Sequence, residues 1–147
     1  MHRQGITMLA LVRSLPIFAA LGLSACVLFP GPEPVPSGAE DFAEYCSACH
    51  GVSGKGDGEL AGSLAKKPAN LTLLADRNKG VFPTTRVMAK IWGYTGGKAG
   101  ADIMPNFGPL LESDLVPYDG GDGIMTPTPL RLVQIAEHLK TIQAKQP

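Results

Sequence analysis

The sequence predicts an all-α domain of about four short helices, and three observations carry that expectation. Apolar residues recur at helical spacing in two segments, Val87, Met88, Ile91, Trp92 and Leu132, Ile135, Leu139, Ile142. No segment sustains the apolar/polar alternation of a half-buried strand. Finally, Ser37-Gly38-Ala39-Glu40 has the form of a capping box, so a helix starts there and runs through Phe42 and Tyr45 into Cys46-Ser47-Ala48-Cys49-His50.

Along the chain, residues 1–25 read as a signal peptide. Arg3 and Arg13 precede a short apolar run from Ser14 to Ala25 that Pro16 interrupts, not a convincing spanning helix, with an ordinary cleaved signal or an uncleaved anchor as the alternative readings. The run ends in Leu23-Ser24-Ala25-Cys26, which resembles the lipobox of bacterial lipoproteins and implies cleavage before Cys26 and acylation of it. Each buried CH₂ is worth about 0.8 kcal/mol, and more than one acyl chain is needed for firm anchoring. Residues 26–37, with Pro30, Pro32, Pro34 and Pro36, favour extended polyproline II and read as a tether. Residues 38–147, about 110 in number, suffice for one domain with a modest core.

Within that domain the first helix leads to the Cys motif, and Gly51 to Gly58 reads as a loop. A second helix is expected over Thr84 to Trp92, stopped by Gly93, and Gly93 to Gly100 reads as another loop. Leu111-Glu112-Ser113-Asp114-Leu115 resembles a helix start that Pro117 cuts short, and Val116 to Pro127 then reads as an inserted surface loop. A calcium loop is a weak alternative there, since the alternating Asp ligands and terminal Glu of an EF-hand are missing. The last helix has Thr128 as its cap and Pro129 in its first turn.

Cys46-x-x-Cys49-His50 is the attachment signature of a c-type haem. Two thiols at this spacing reach two vinyl groups on one edge of the porphyrin, and the adjacent imidazole supplies an axial ligand. A zinc site would need a second ligand pair, but the remaining candidates are Cys26, His2 and His138. A redox dithiol usually sits in a βαβ context, which this segment lacks. The chain carries 13 basic and 13 acidic residues, and 11 against 13 once Arg3 and Arg13 leave with the leader. Nucleic-acid binding, which calls for a basic patch, is not indicated.

At these residues the domain resembles the class I mono-haem c-type cytochromes. Gly38, Phe42, Cys46, Cys49 and His50 match that family's N-terminal helix, and Ile135 and His138 occupy the positions where its C-terminal helix crosses. His138 replaces the usual aromatic residue and is expected to pack between helices. The resemblance implies the cytochrome c fold around one haem c, bound through two thioethers. It further implies that the Pro68 carbonyl, in Lys66-Lys67-Pro68-Ala69-Asn70, accepts a hydrogen bond from His50, and that Met104 of Met104-Pro105 is the sixth ligand. Met125 and Met88 are competing thioethers. Trp92 and Tyr94 are open either to a haem propionate or to simple packing, and the inserted loop is expected near the Met side of the haem.

The function so implied is that of a one-electron carrier and not an enzyme, lipid-anchored through Cys26 on the periplasmic side of a bacterial membrane. Its partners would be a quinol:cytochrome c reductase, a terminal oxidase or reductase, or a periplasmic dehydrogenase. Two other readings stand beside it: a haem sensor or peroxidatic enzyme with an open sixth site, and a fixed haem subunit of a larger oxidoreductase complex.

Overall fold

A computed structural model describes residues 34–94 and 104–144. The chain divides into Met1–Pro34 and Val35–Pro147, and the fold described here is that of the second unit. The leader, Cys26, the tether up to residue 33 and most of the Gly-rich stretch after Gly93 lie outside the described residues. No helix among the described residues is long and apolar enough to cross a membrane.

The capping box forms as its sequence requires. Helix α1 (Gly38–Tyr45) follows Ser37, whose Oγ accepts from the Glu40 amide at 3.3 Å while Glu40 Oε2 accepts from the Ser37 amide at 2.7 Å. The chain turns at Cys46 into the short helix α2 (Ser47–His50). Helix α3 spans Thr84–Trp92 and ends at Gly93, whose φ of 97° lies in the left-handed region a C-terminal glycine supplies. Helix α4 spans Leu130–Thr141. Short 3₁₀ turns at Leu71–Leu73, Asp76–Asn78 and Gly108–Leu110 shape the connections.

The α1–α4 crossing organises the core. A Cβ on Gly38 would lie 1.9 Å from the Gln134 carbonyl oxygen and 2.9 Å from the Ile135 nitrogen, so the two backbones meet where only glycine fits. One turn on, the Phe42 and His138 rings sit 5.2 Å apart, and His138 takes the interhelical packing role its position predicts. Phe42, Met88, Ile91, Leu111, Leu132, Ile135, Ala136 and Leu139 are buried together. The stripe on α4 is therefore the predicted one, except that Ile142 caps the helix and is half-buried.

The segment expected as an inserted loop is instead an antiparallel ribbon, and this corrects the all-α expectation. Strands β1 (Leu115–Asp119) and β2 (Met125–Pro129) pair from Leu115 with Pro129 to Asp119 with Met125. Pro117, Pro127 and Pro129 argue against a strand when read singly, but all fall on one parity of the ladder. The pairs Val116–Thr128 and Tyr118–Thr126 between them keep their N–H groups. At the turn, Asp119 Oδ1 accepts from the amides of Gly121, Asp122 and Gly123 at 2.8, 3.1 and 3.0 Å. Tyr118 fastens the ribbon to α4, its hydroxyl donating to Glu137 at 2.5 Å and accepting from Lys140 Nζ at 3.0 Å.

Helix α4 is also capped differently from expectation. Thr128 Oγ1 donates to the Thr126 carbonyl instead of capping, and Pro129 stands at the N-cap. The first α4 amides are met from the preceding segment: Leu130 N–H by the Asp114 carbonyl at 2.9 Å and Arg131 N–H by Ser113 Oγ at 3.1 Å. Leu111 to Leu115 therefore forms no helix of its own, and two of its residues cap the next one.

Two outcomes test this packing. Gly38→Ala should destabilise the domain by about 2 kcal/mol or more, because backbone must move to admit the methyl group, and urea unfolding would measure it. Burial holds the His138 imidazole below its ordinary value of 6.5, so the unfolded chain takes up that proton first as pH falls. The contribution is complete above pH 6.5 and is lost as pH drops below it. The difference in stability between wild type and His138→Phe should therefore change between pH 7.5 and pH 5, with wild type losing more.

Candidate functional site

Helix α2 is too short to satisfy its own carbonyls, and the Gly-rich loop after it does so instead. The Gly51 amide donates to Ser47 O at 2.7 Å, Leu60 to Ala48 O at 2.9 Å, Gly58 to Cys49 O at 3.2 Å and Gly56 to His50 O at 2.7 Å. The loop therefore folds back along the Cys motif and pins it at four successive carbonyls. Gly56 permits this: its φ is 78°, and a Cβ there would lie 2.4 Å from the Pro68 carbonyl oxygen.

Cys46, Cys49, His50, Pro68 and Met104 all line one cavity of about 440 Å³. Its walls are mostly apolar, from Phe42, Leu71, Val87, Ile91, Phe107 and Leu139 among others. His50 Nδ1 lies 2.9 Å from a carbonyl oxygen, which belongs to Ala69 and not, as expected, to Pro68. The reason is the path of the chain: Pro68 O faces Gly56, leaving the next carbonyl for the imidazole. A carbonyl can only accept, so Nδ1 carries the proton and Nε2 keeps its lone pair for a metal. Asn70, next along, caps the Leu71–Leu73 turn, and Gln143 beyond α4 holds that turn by donating to Leu71 O at 2.8 Å.

The methionines separate by position. Met104 lines the cavity at the start of a segment tied to the end of α3, where the Phe107 amide donates to Ile91 O at 3.0 Å. Gly108 lets that segment close on Trp92, whose ring would lie 3.1 Å from a Cβ there. Met88 is buried in the core, and Met125 is exposed on β2. Neither lines the cavity, nor does any residue of the ribbon, which packs on α4 and reaches α3 through Thr85 and Gly120. Among the described residues, the ribbon thus contributes nothing to the cavity wall. Trp92 packs against Gly108 and Tyr94 is exposed, and neither lines the cavity.

The residues fit a covalent haem: two thiols, an imidazole with its metal-facing nitrogen free and a thioether share one apolar cavity. Burial pushes the Cys46 thiol up to about 12, with the charges of Asp41 and Cys49 adding to the effect. Among the described residues, no three or more His, Cys, Asp or Glu are grouped to hold a metal ion, so those residues offer the Cys pair no other half of a zinc site.

One supporting pair escaped the sequence reading. Asp41 on α1 is 1% exposed and accepts from Arg131 Nε at 3.0 Å, while Arg131 Nη2 forms a second, shorter contact to the same carboxylate. Arg131 Nη1 donates to Leu110 O at 2.8 Å, and its guanidinium lies 5.8 Å from the centre of the Tyr45 ring, which faces the cavity. The hydrogen bonds to Asp41 hold the Arg131 pKa above its ordinary value. A cation in the first turn of a helix opposes the macrodipole, and that was the available signal that Arg131 answers to a partner elsewhere. Arg131→Met should cost about 3 kcal/mol by stranding the buried carboxylate. The double variant with Asp41→Leu should recover most of that loss in urea unfolding.

No curated protein and no solved structure matches the chain. A family model described as Cytochrome c matches residues 35–114, which run from the tether end through α1, the Cys motif and α3 to the segment of Met104. That match spans more than half of the 147 residues and contains all the cavity residues that would bind and ligate a haem, with α4 beyond it completing the crossing. The chain belongs to the cytochrome c family, whose members are c-type cytochromes carrying covalently bound haem.

Proposed function

We propose that this protein is a membrane-tethered, class I mono-haem cytochrome c that carries single electrons between respiratory or periplasmic redox proteins, with His50 and Met104 as axial ligands. The observation that carries the reading is that Cys46, Cys49, His50 and Met104 line the same apolar cavity. When bound, haem c supplies one reversible electron. The protein residues do the rest. Cys46 and Cys49 would hold the group at the turn into α2, and the loop bonds to the α2 carbonyls fix the backbone that carries Cys49. Ala69 holds the His50 ring and makes its free nitrogen a better donor. Met104, a soft thioether, favours the ferrous state and so raises the potential relative to a second nitrogen ligand.

If His50 and Met104 both bound the iron, no open site would remain for a substrate, and that supports a carrier over an enzyme. A peroxidatic or sensor role would need Met104 to be structural, and a peroxidase would also need an acid/base group beside the iron. His138 does not line the cavity and packs on Phe42. The lipobox-like Leu23-Ser24-Ala25-Cys26 supports acylation at Cys26 and a place on the periplasmic face of a bacterial membrane. There the domain would meet a quinol:cytochrome c reductase, a terminal oxidase or a periplasmic dehydrogenase, either as a free carrier or as a fixed subunit of a complex.

Met104 ligation is tested by spectroscopy. The oxidised protein should show the weak near-infrared band of an iron–thioether bond, and its reduced form should bind carbon monoxide poorly. Met104→Ala should abolish the band, admit carbon monoxide and lower the potential, whereas Met125→Ala should change none of the three. Ready binding of carbon monoxide by wild type would contradict the carrier reading.

A further inference from the structure

The ribbon presents an apolar face to solvent. Directly opposite residues of an antiparallel ladder share a face, and faces alternate along each strand. Val116, Tyr118, Thr126 and Thr128 therefore share the face that Tyr118 fastens to α4. Leu115, Pro117 and Asp119 of β1 stand with Pro129, Pro127 and Met125 of β2 on the other. Leu115 is 63% exposed and Met125 66%, and Pro117 and Pro127 are exposed as well. Single exposed apolar residues are ordinary, but the register joins these into a continuous strip, and Ile124 at the turn adds a further exposed apolar side chain.

The edges of the ribbon are closed to pairing. Pro117 and Pro127 stand opposite each other with no N–H to exchange, so the ladder bonds belong to Val116–Thr128 and Tyr118–Thr126, in step with the bond from Leu130 N–H to Asp114 O at 2.9 Å. The backbone groups of the other pairs point outward. There β1 offers N–H groups only at Leu115 and Asp119, with Pro117 between them, and β2 only at Met125. A strand from another chain therefore finds no run of donors to pair with, and contact is left to the face. That face is also held firm: Tyr118 is bound to Glu137 and Lys140, Thr85 Oγ1 donates to Gly120 O at 3.3 Å, and Asp119 Oδ1 takes three amides at the turn. A preformed surface loses little freedom on association.

Size and charge decide what covers this face. Two five-residue strands give a strip of about 17 by 10 Å, well below the roughly 800 Å² per partner of a standard interface, so its surroundings must contribute. Those surroundings are acidic. Residues 99–130 contain Asp102, Glu112, Asp114, Asp119 and Asp122 but no Lys or Arg. Glu112, Asp114, Asp119 and Asp122 are exposed, and none of them forms a salt bridge among the described residues. A second copy docked face to face would set acidic rim against acidic rim, and an anionic lipid surface would be repelled as well. We propose that the face of Leu115, Pro117, Pro127 and Met125 docks a protein whose apolar patch is bordered by Lys and Arg side chains. Among the described residues the ribbon adds nothing to the cavity lining, so this partner holds the domain by residues other than those that would bind haem. Docking there does not depend on haem, and it agrees with the domain serving as a subunit of a complex.

Photocrosslinking of the full chain in its own cells tests this, with benzoylphenylalanine placed at Met125 or, as a control, at Val52 in the loop after α2, which is 92% exposed. The Met125 probe should give one discrete adduct to another protein, joined at a segment that contains Lys or Arg, and the Val52 probe should not give that adduct. With the partner purified, titration calorimetry should show Leu115→Ser/Met125→Ser weakening binding by about tenfold or more, as for loss of central apolar anchors. Glu112→Lys/Asp114→Lys should weaken it too, and added salt should weaken wild-type binding. Urea unfolding of the Ser variant should match wild type, since both side chains are exposed. An adduct of twice the chain mass would assign the face to a second copy, and an adduct to phospholipid would assign it to a membrane; either result overturns the proposal. So does the absence of any adduct at Met125, or a partner whose affinity ignores Leu115→Ser/Met125→Ser or rises with salt.

Discussion

The close contact of α1 with α4 at Gly38 is the constraint on which the rest of the domain depends. With the Gln134 carbonyl 1.9 Å from where a Cβ would stand, the two helices can cross only if that Cβ is absent. The crossing places Phe42 on His138 and Asp41 on Arg131, so one close approach is consolidated by a ring contact and a buried ion pair. The pair alone is weak evidence for stability, since desolvation offsets much of its attraction. Its value lies in register: Arg131 is bound at the same time to Asp41 and to Leu110 O, and its backbone amide to Ser113, which ties the start of α4 to two other parts of the chain.

The binding side chains inherit their positions from this frame. Helix α2 follows α1 with a turn at Cys46 and could swing about it, but four loop amides close on its carbonyls. The next link runs from Gly54 O, which accepts from the Leu71 amide at 2.7 Å, to Gln143 at the end of α4. Ala69, whose carbonyl orients His50, stands between those anchors. The cavity thus has a rigid motif on α2, while Met104 enters on a segment fixed separately to α3. In the proposed arrangement, with His50 and Met104 as ligands, groups that hold still between oxidation states would keep reorganisation small.

What the sequence disclosed was local, and what it hid was tertiary. The capping box at Ser37, the bounds of α3 and its terminating Gly93 depend on neighbouring residues and were legible. The Cys motif was legible because its chemistry demands that spacing. The ribbon was hidden because Pro117, Pro127 and Pro129 each oppose a strand, and only the register shows that they share one parity. The cap of α4 was hidden because Ser113 and Asp114 lie well before the helix they serve, and Thr128 offered a nearer and wrong choice. Resemblance put the carbonyl at Pro68; the tight passage of Gly56 against Pro68 O moves the role one residue on, to Ala69.

The central claim is that this frame encloses a single haem joined to Cys46 and Cys49. The most direct measurement is the mass of the protein purified from a host that matures c-type cytochromes, taken after extraction with acidified organic solvent. The account predicts a polypeptide that keeps its colour and weighs one haem more than its sequence. A colourless protein at the mass of the bare chain, with the porphyrin in the organic phase, would contradict it.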